Sequence, residues 1–201
     1  NSYQFLTQKL GFTTLVDELQ IGDHSYTDIA LAPLGLGQLT RGVTVREMTQ
    51  AYGTFPNGGT FREARTFTKV VDPEGKVILD NAQESHTAIG EKADFYINYM
   101  LQNAVLAGTG SAAAMDNIAV AGKTGTAQQS KDKPNHGLFI GYAPYDDPKI
   151  ALAVRITNGY SSGNAALVAR DVISYYFKLQ DESELITGHA SASYDSYNTS
   201  G

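Results

Sequence analysis

The 201-residue sequence carries 15 basic against 21 acidic residues, a formal net charge of -6, with 42% hydrophobic and 18% charged residues. That balance argues against a nucleic-acid surface and a polybasic membrane patch, and it suits one sizeable globular domain. With no cysteine, a disulfide framework and a thiolate nucleophile are both excluded.

No apolar run approaches a membrane span, and the chain opens at Asn1 with neither an initiator methionine nor a signal peptide. Any anchor is therefore expected upstream or already removed. From Ser2 to Gly11, the spacing of Tyr3, Leu6 and Leu10 predicts the tail of a helix stopped by glycine. Gly35, Gly37 and Gly42 break "LAPLGLGQLTRG" into an expected loop. Thr44-Val45-Arg46-Glu47 then has the T-x-x-E form of a capping box, and Val45, Met48, Ala51, Tyr52 and Phe55 follow at helical spacing until "PNGG" ends the element.

Strands are expected over Arg65–Val71 and Lys76–Leu79, joined by the turn Asp72-Pro73-Glu74-Gly75. A helix is expected over Glu91–Ala107, with Ile97, Met100, Leu101, Ala104 and Val105 as its core stripe. Gly108-Thr109-Gly110-Ser111-Ala112-Ala113 imitates a dinucleotide fingerprint. It follows a helix rather than a strand, so it reads as a connecting loop. Three strands in succession, Ile118–Ala127, Gly137–Ala143 and Lys149–Thr157, predict an antiparallel meander. A last helix is expected over Asn164–Lys178 with Val168, Val172, Ile173 and Tyr176 on one face, after a turn and cap at Ser161-Ser162-Gly163. The Ser/Tyr/Gly-rich stretch from His189 to Gly201 reads as a flexible tail beyond a domain ending at residue 188.

The chemistry-bearing stretch is "IAVAGKTGTAQQ", residues 118–129. Gly122-Lys123-Thr124 could end a phosphate-binding loop, but that loop needs a glycine five residues earlier, where Asn117 stands, and a helix afterwards. A phosphate-dependent stabilisation would be the mark of that rival. Alternatively, Lys123 is a solvated strand-end residue and Gly125 a bulge. The extended pattern favours neither. "VAGKTGTAQ", "GLFIGYAPYDDPKIALAV" and "LGQLTRGVTVREMTQAYGTFPNGG", in their order, resemble segments of the penicillin-binding transpeptidases, serine acyl enzymes for which K-T-G is one signature beside S-x-x-K and S-D-N. The resemblance runs from Asn1 to Lys178.

It implies an α+β domain, an antiparallel sheet flanked by helices as in serine β-lactamases, here incomplete. It implies D,D-transpeptidation of peptidoglycan stem peptides, binding of β-lactam antibiotics, and no metal or organic cofactor. Lys123 would bring a cation to the nucleophile and the substrate carboxylate. Thr124 and Thr126 would offer hydroxyls to substrate, Gly125 would leave room for its approach, and the Thr126 backbone N–H would be an oxyanion-hole donor. The S-x-x-K pattern is expected to be missing from this chain, so the serine and its lysine base are expected in a missing N-terminal part of the domain, and the fragment alone is expected to be inactive. The S-x-N element is likewise expected outside, or at Asn1. The full-length protein is expected to be extracytoplasmic, anchored in the bacterial membrane by an upstream segment. A D,D-carboxypeptidase, a β-lactamase or a noncatalytic sensor domain remain alternatives within the resemblance.

Leu138 stands where the family commonly has tryptophan, which touches local packing only. His24, His86, His136 and His189 lack ligand-like spacing and are expected in solvated loops. Asp146 and Asp147 sit in a proline-bounded turn, where aspartate bonds its own backbone.

Overall fold

A computed structural model describes residues 2–185. Asn1 and the expected tail from His189 to Gly201 lie outside the described residues. The described residues divide into two compact units, one up to Asp94 and one from Phe95 on.

In the first unit, α1 (Ser2–Gln4) runs into a π-helical stretch, Phe5–Lys9, and the chain turns at Gly11 with φ 66°. The core gathers Leu10, Phe12, Leu15, Ala51 and Phe61. A hairpin follows, β1 (Leu19–Ile21) with β2 (His24–Tyr26), and then α2 (Leu31–Leu36). This α2 corrects the loop expected there. Pro33 lies in its first turn, where a missing N–H forfeits no helical bond, and Gly37 takes the left-handed φ of 75° that caps it. The glycine read as a breaker is thus a helix terminator.

Helix α3 (Val45–Tyr52) starts from the expected capping box, with both reciprocal bonds present. Beyond it, β3 (Thr60–Arg62) pairs with β6 (Ser85–Thr87), enclosing the hairpin of β4 (Lys69–Val71) and β5 (Val77–Asp80). The β4–β5 turn is the expected one, held by the Lys76 N–H donating to Asp72 Oδ1 at 2.7 Å. Two buried carboxylates bind distant segments of this unit. Glu47 accepts from Thr13, Thr14 and Thr44, and Asp28 accepts from Val16 and Thr40.

The contact division falls within α4 (Glu91–Leu106), after Asp94. Of the expected stripe, Leu101 and Val105 are buried, whereas Met100 is 56% exposed. Successive helical residues point about 100° apart, so Met100 cannot share the line that Leu101 and Val105 make four residues apart. The second unit is built on the expected meander: β7 (Ala121–Ala127), β8 (His136–Ala143) and β9 (Ile150–Ile156), antiparallel in the order β7-β8-β9. Being central, β8 is buried on both faces apart from half-buried Leu138.

Helix α5 (Ser162–Tyr176) packs against this sheet, its first turn capped by Ser161, whose side chain accepts from the Gly163 N–H. Its face differs from the expected one. Ala165, Ala166, Ala169 and Ile173 are fully buried, while Val168 and Val172 are each 41% exposed and Tyr176 is 52% exposed. Small residues face the sheet because the chain comes very close to it. A Cβ placed on Gly137 would stand 2.5 Å from the Ser161 carbonyl oxygen. The last described element is α6 (Glu182–Leu185). Among the described residues no helix is long and apolar enough to cross a membrane.

Candidate active site

Lys123, Thr124, Gly125 and Thr126 lie together on β7, an outer strand of the sheet among the described residues. Its register with β8 is unbroken from the Ala121–Tyr142 pair to the Ala127–His136 pair. Alternation therefore holds throughout: Thr124 and Thr126 share one face, opposite Phe139 and Gly137, while Lys123 and Gly125 share the other. Lys123 and Thr126 are exposed, Gly125 is half-buried, and Thr124 is 6% exposed.

The direction of the strand's backbone groups follows from one contact. The Lys123 ammonium donates to the Thr124 carbonyl oxygen at 2.8 Å, which places that carbonyl at the edge of β7 away from β8. In an antiparallel strand every second residue turns both backbone groups to the same side. Thr126, two residues on, thus presents its N–H to the same open edge.

Side-chain bonding ties this segment to the loop after α4. The Lys123 ammonium also donates to Thr109 Oγ1 at 3.2 Å. The buried Thr124 hydroxyl lies 3.0 Å from Thr109 Oγ1 and 3.3 Å from the Thr109 carbonyl oxygen. Thr109 is a site-contacting residue that the sequence reading left in a connecting loop; only the fact that two glycines bracket it signals a fixed position. The glycines of β7 differ in kind. A Cβ on Gly122 would lie 2.6 Å from the Ile140 carbonyl oxygen, whereas one on Gly125 would meet Leu138 at an ordinary 3.4 Å. Packing against β8 requires glycine at position 122 and does not require it at 125.

The chain does contain one S-x-x-K tetrapeptide, Ser130–Lys133, contrary to the expectation that treated the pattern as missing. It lies in the non-helical loop between β7 and β8, where the Asp132 N–H donates to Ser130 Oγ at 3.3 Å. No helical turn brings a lysine over that serine, so it lacks the adjacent base that activates a nucleophile. An S-x-N tripeptide, Ser162–Asn164, is also present, in the first turn of α5. There the Asn164 amide donates to the Gly159 carbonyl at 2.9 Å, closing the preceding loop.

His136 corrects another expectation. It is 6% exposed on β8, with Nδ1 accepting from the Asn158 N–H at 2.9 Å and Nε2 lying 3.0 Å from Gln129 Oε1. An Nδ1 that accepts leaves the proton on Nε2, which donates to Gln129. His24 and His86 lie on exposed strands, the latter against the Lys9 carbonyl at 3.0 Å, and His189 is outside the described residues. Among the described residues no group of three His, Cys, Asp or Glu is placed to hold a metal ion.

Comparison with known proteins gives this geometry a context. A family model described as "Penicillin binding protein transpeptidase domain" matches residues 8–174. Penicillin-binding protein 1A of Clostridium botulinum is 37% identical over 161 residues, 78% of this chain and 18% of that protein. Peptidoglycan D,D-transpeptidase MrdA of Acinetobacter baumannii is 32% identical over 127 residues, covering 56% of this chain and 18% of its own length. The chain thus spans less than a fifth of these relatives. Among solved structures, the D,D-transpeptidase domain of a peptidoglycan glycosyltransferase from Eggerthella lenta aligns with a TM-score of 0.63 at 28% identity, over 71% of this chain and 34% of that one. The imipenem acyl-enzyme of penicillin-binding protein A from M. tuberculosis shares the fold, with a TM-score of 0.69 at 23% identity over 87% of this chain and 41% of its own. The mixture of helices and antiparallel sheets is that of these domains, of which the chain represents a part.

Proposed function

The chain belongs to the penicillin-binding protein transpeptidase family, and we propose that it is the C-terminal part of a domain that cross-links peptidoglycan stem peptides by D,D-transpeptidation. The carrying observation is the open edge of β7, along which the Lys123 ammonium and the backbone groups of Thr124 and Thr126 are presented together. An exposed strand edge accepts an extended peptide as an additional strand. In this reading the Thr126 N–H is one oxyanion-hole donor and the exposed Thr126 hydroxyl serves the substrate carboxylate, whereas the buried Thr124 hydroxyl, expected to do the same, is held by Thr109. Gly125 keeps clear the face that Lys123 shares. The nucleophilic serine and its lysine base belong to a part of the domain outside residues 1–201, since Ser130 has no helical partner. β-Lactams, which acylate the M. tuberculosis relative, would acylate the same serine. The site of action is extracytoplasmic, where peptidoglycan is assembled, with the full-length protein held at the membrane by an upstream segment. The partners are stem peptides, β-lactams and the N-terminal part of the domain, without nucleic acid.

The test is Lys123→Gln in the full-length protein, followed with a fluorescent penicillin and a stem-peptide donor. Loss of one preorganised electrostatic contact slows acylation by about 10²-fold. Lys123→Arg does not restore it, because a planar guanidinium does not replace a compact ammonium. Wild-type rates in folded Lys123→Gln protein would reject the site. The 201-residue chain alone takes no covalent label, and a labelled band would place the nucleophile inside it.

A further inference from the structure

Thr109 lies in a stretch that the sequence marks only as a connecting loop, yet its side chain touches both polar residues at the start of the K-T-G segment. Its position is built rather than incidental. Gly108 and Gly110 on either side fold back on the end of α4, so that a Cβ on Gly108 would stand 2.8 Å from the Ala104 carbonyl oxygen and one on Gly110 3.0 Å from the same atom. The Gly110 N–H donates to that carbonyl at 2.9 Å, and Ala113 donates to Gly110 in the following turn. Neither glycine has space for a side chain, and the exposed threonine between them is held over β7.

We propose that Thr109 is a positioning residue for Lys123 and Thr124 in the acylation step, an inference that rests on the transpeptidase reading above. The hydrogen-bond inventory supports this role. A lysine ammonium only donates, so Thr109 Oγ1 must accept from Lys123, and the Thr124 carbonyl takes a second of its three protons. The third remains for substrate or the reacting serine. The Thr124 hydroxyl has one proton and two acceptors on Thr109, the carbonyl oxygen and Oγ1. When that proton goes to the carbonyl, the Thr109 hydroxyl is free to donate back to Thr124. In either arrangement the flexible lysine stem is tied at its charged end to a fixed loop, and the rotor of Thr124 is set by the same residue. Without Thr109 the ammonium retains only the strand carbonyl as a protein partner among these contacts, and its orientation at the edge is lost.

The experiment compares Thr109→Val, Thr109→Ser and Lys123→Gln in the full-length protein, measuring the acylation rate constant separately from initial β-lactam affinity, together with thermal unfolding. Valine matches threonine in shape and lacks the hydroxyl, so Thr109→Val should slow the acylation step about tenfold with unfolding unchanged. Thr109→Ser should come within about threefold of wild type, because the oxygen is kept. A coupled pair also predicts that Thr109→Val costs less when Thr124 is already valine. Wild-type acylation by Thr109→Val, or equal impairment in Thr109→Ser, overturns the inference. If Thr109→Val slows acylation only by lowering the unfolding temperature, the serine variant and the valine pair show no hydroxyl-specific effect, and the inference again fails. Unaltered acylation in Lys123→Gln overturns the underlying reading instead. A slowed Lys123→Gln beside an unaffected Thr109→Val removes only the role of Thr109.

Discussion

Gly122 and Gly141 face each other across β7 and β8, each so near the opposite strand that a methyl group on either would overlap its backbone. A Cβ on Gly122 would lie 2.6 Å from the Ile140 carbonyl oxygen, and one on Gly141 would overlap the Ala121 carbonyl oxygen. Gly125, three residues along, has no such constraint. Gly122→Ala is expected to destabilise the domain by about 2 kcal/mol, the scale of overpacking against backbone that cannot yield. Gly125→Ala should leave the unfolding free energy within about 0.5 kcal/mol of wild type, yet slow acylation, since its methyl group would project on the Lys123 face. Urea unfolding and penicillin acylation of the two variants separate these effects, and a strongly destabilised Gly125→Ala would show that position 125 serves packing.

Glu47 gives a pH prediction. Burial pushes its carboxyl up, but bonds donated by Thr44 and Thr13 outweigh this and bring its pKa down from 4.5 to about 2. A depressed folded pKa contributes stability that is fully present above 4.5 and is lost as pH falls through about 2. Glu47→Gln should lower stability by about 2 kcal/mol at neutral pH, since an amide sets two donors and one acceptor oxygen against donors from three threonines. Its unfolding free energy should also fall less steeply below pH 4.5 than that of wild type. Parallel acid slopes would assign the acid sensitivity elsewhere.

His136 closes the base of the loop after the K-T-G strand by accepting from Asn158 and donating to Gln129. His136→Leu leaves the Asn158 N–H without its acceptor and is expected to cost about 2 kcal/mol, with Gln129→Leu costing less because Gln129 is exposed. Hydrogen exchange at the Asn158 amide should rise selectively in His136→Leu. Unchanged protection there would mean that another acceptor serves.

At the α5 interface, Ala169 has no exposed surface where helix meets sheet. Ala169→Leu should destabilise by about 2 kcal/mol through overpacking, although leucine is the better hydrophobe. A stabilised variant would imply a gap that the close approach near Gly137 does not suggest.

The meander, the capping box, the Asp72–Gly75 turn and the main helices were legible because each has a local signal: an alternation, a cap or a turn residue. The β1–β2 and β3–β6 pairs were not, since three-residue strands are too short for alternation to emerge and their pairing partners lie in other segments. On α5 the sequence pattern selected four large side chains, of which only Ile173 is buried; Ala165, Ala166 and Ala169 fill the rest of the buried face, because proximity to the sheet favours absence of bulk over hydrophobicity. His136 was misplaced for a related reason: a histidine's burial depends on the N–H and carbonyl partners that the fold supplies. In the candidate site, Lys123 to Thr126 were picked out by a motif. Thr109 lies in a stretch that reads only as a connecting loop, and its contact with Lys123 arises from that loop folding back 14 residues upstream.

The open edge of β7 has a second side to its usefulness. A strand edge offering unbonded backbone groups does not distinguish a stem peptide from the same edge of a neighbouring molecule. Two copies approaching antiparallel through β7 would bring their Lys123 ammonium groups to one seam, and like charges at short range oppose that pairing. If Lys123 serves acyl transfer as proposed, the same cation would also oppose self-association, and neutralising it would remove a repulsion as well as the proposed catalytic contact.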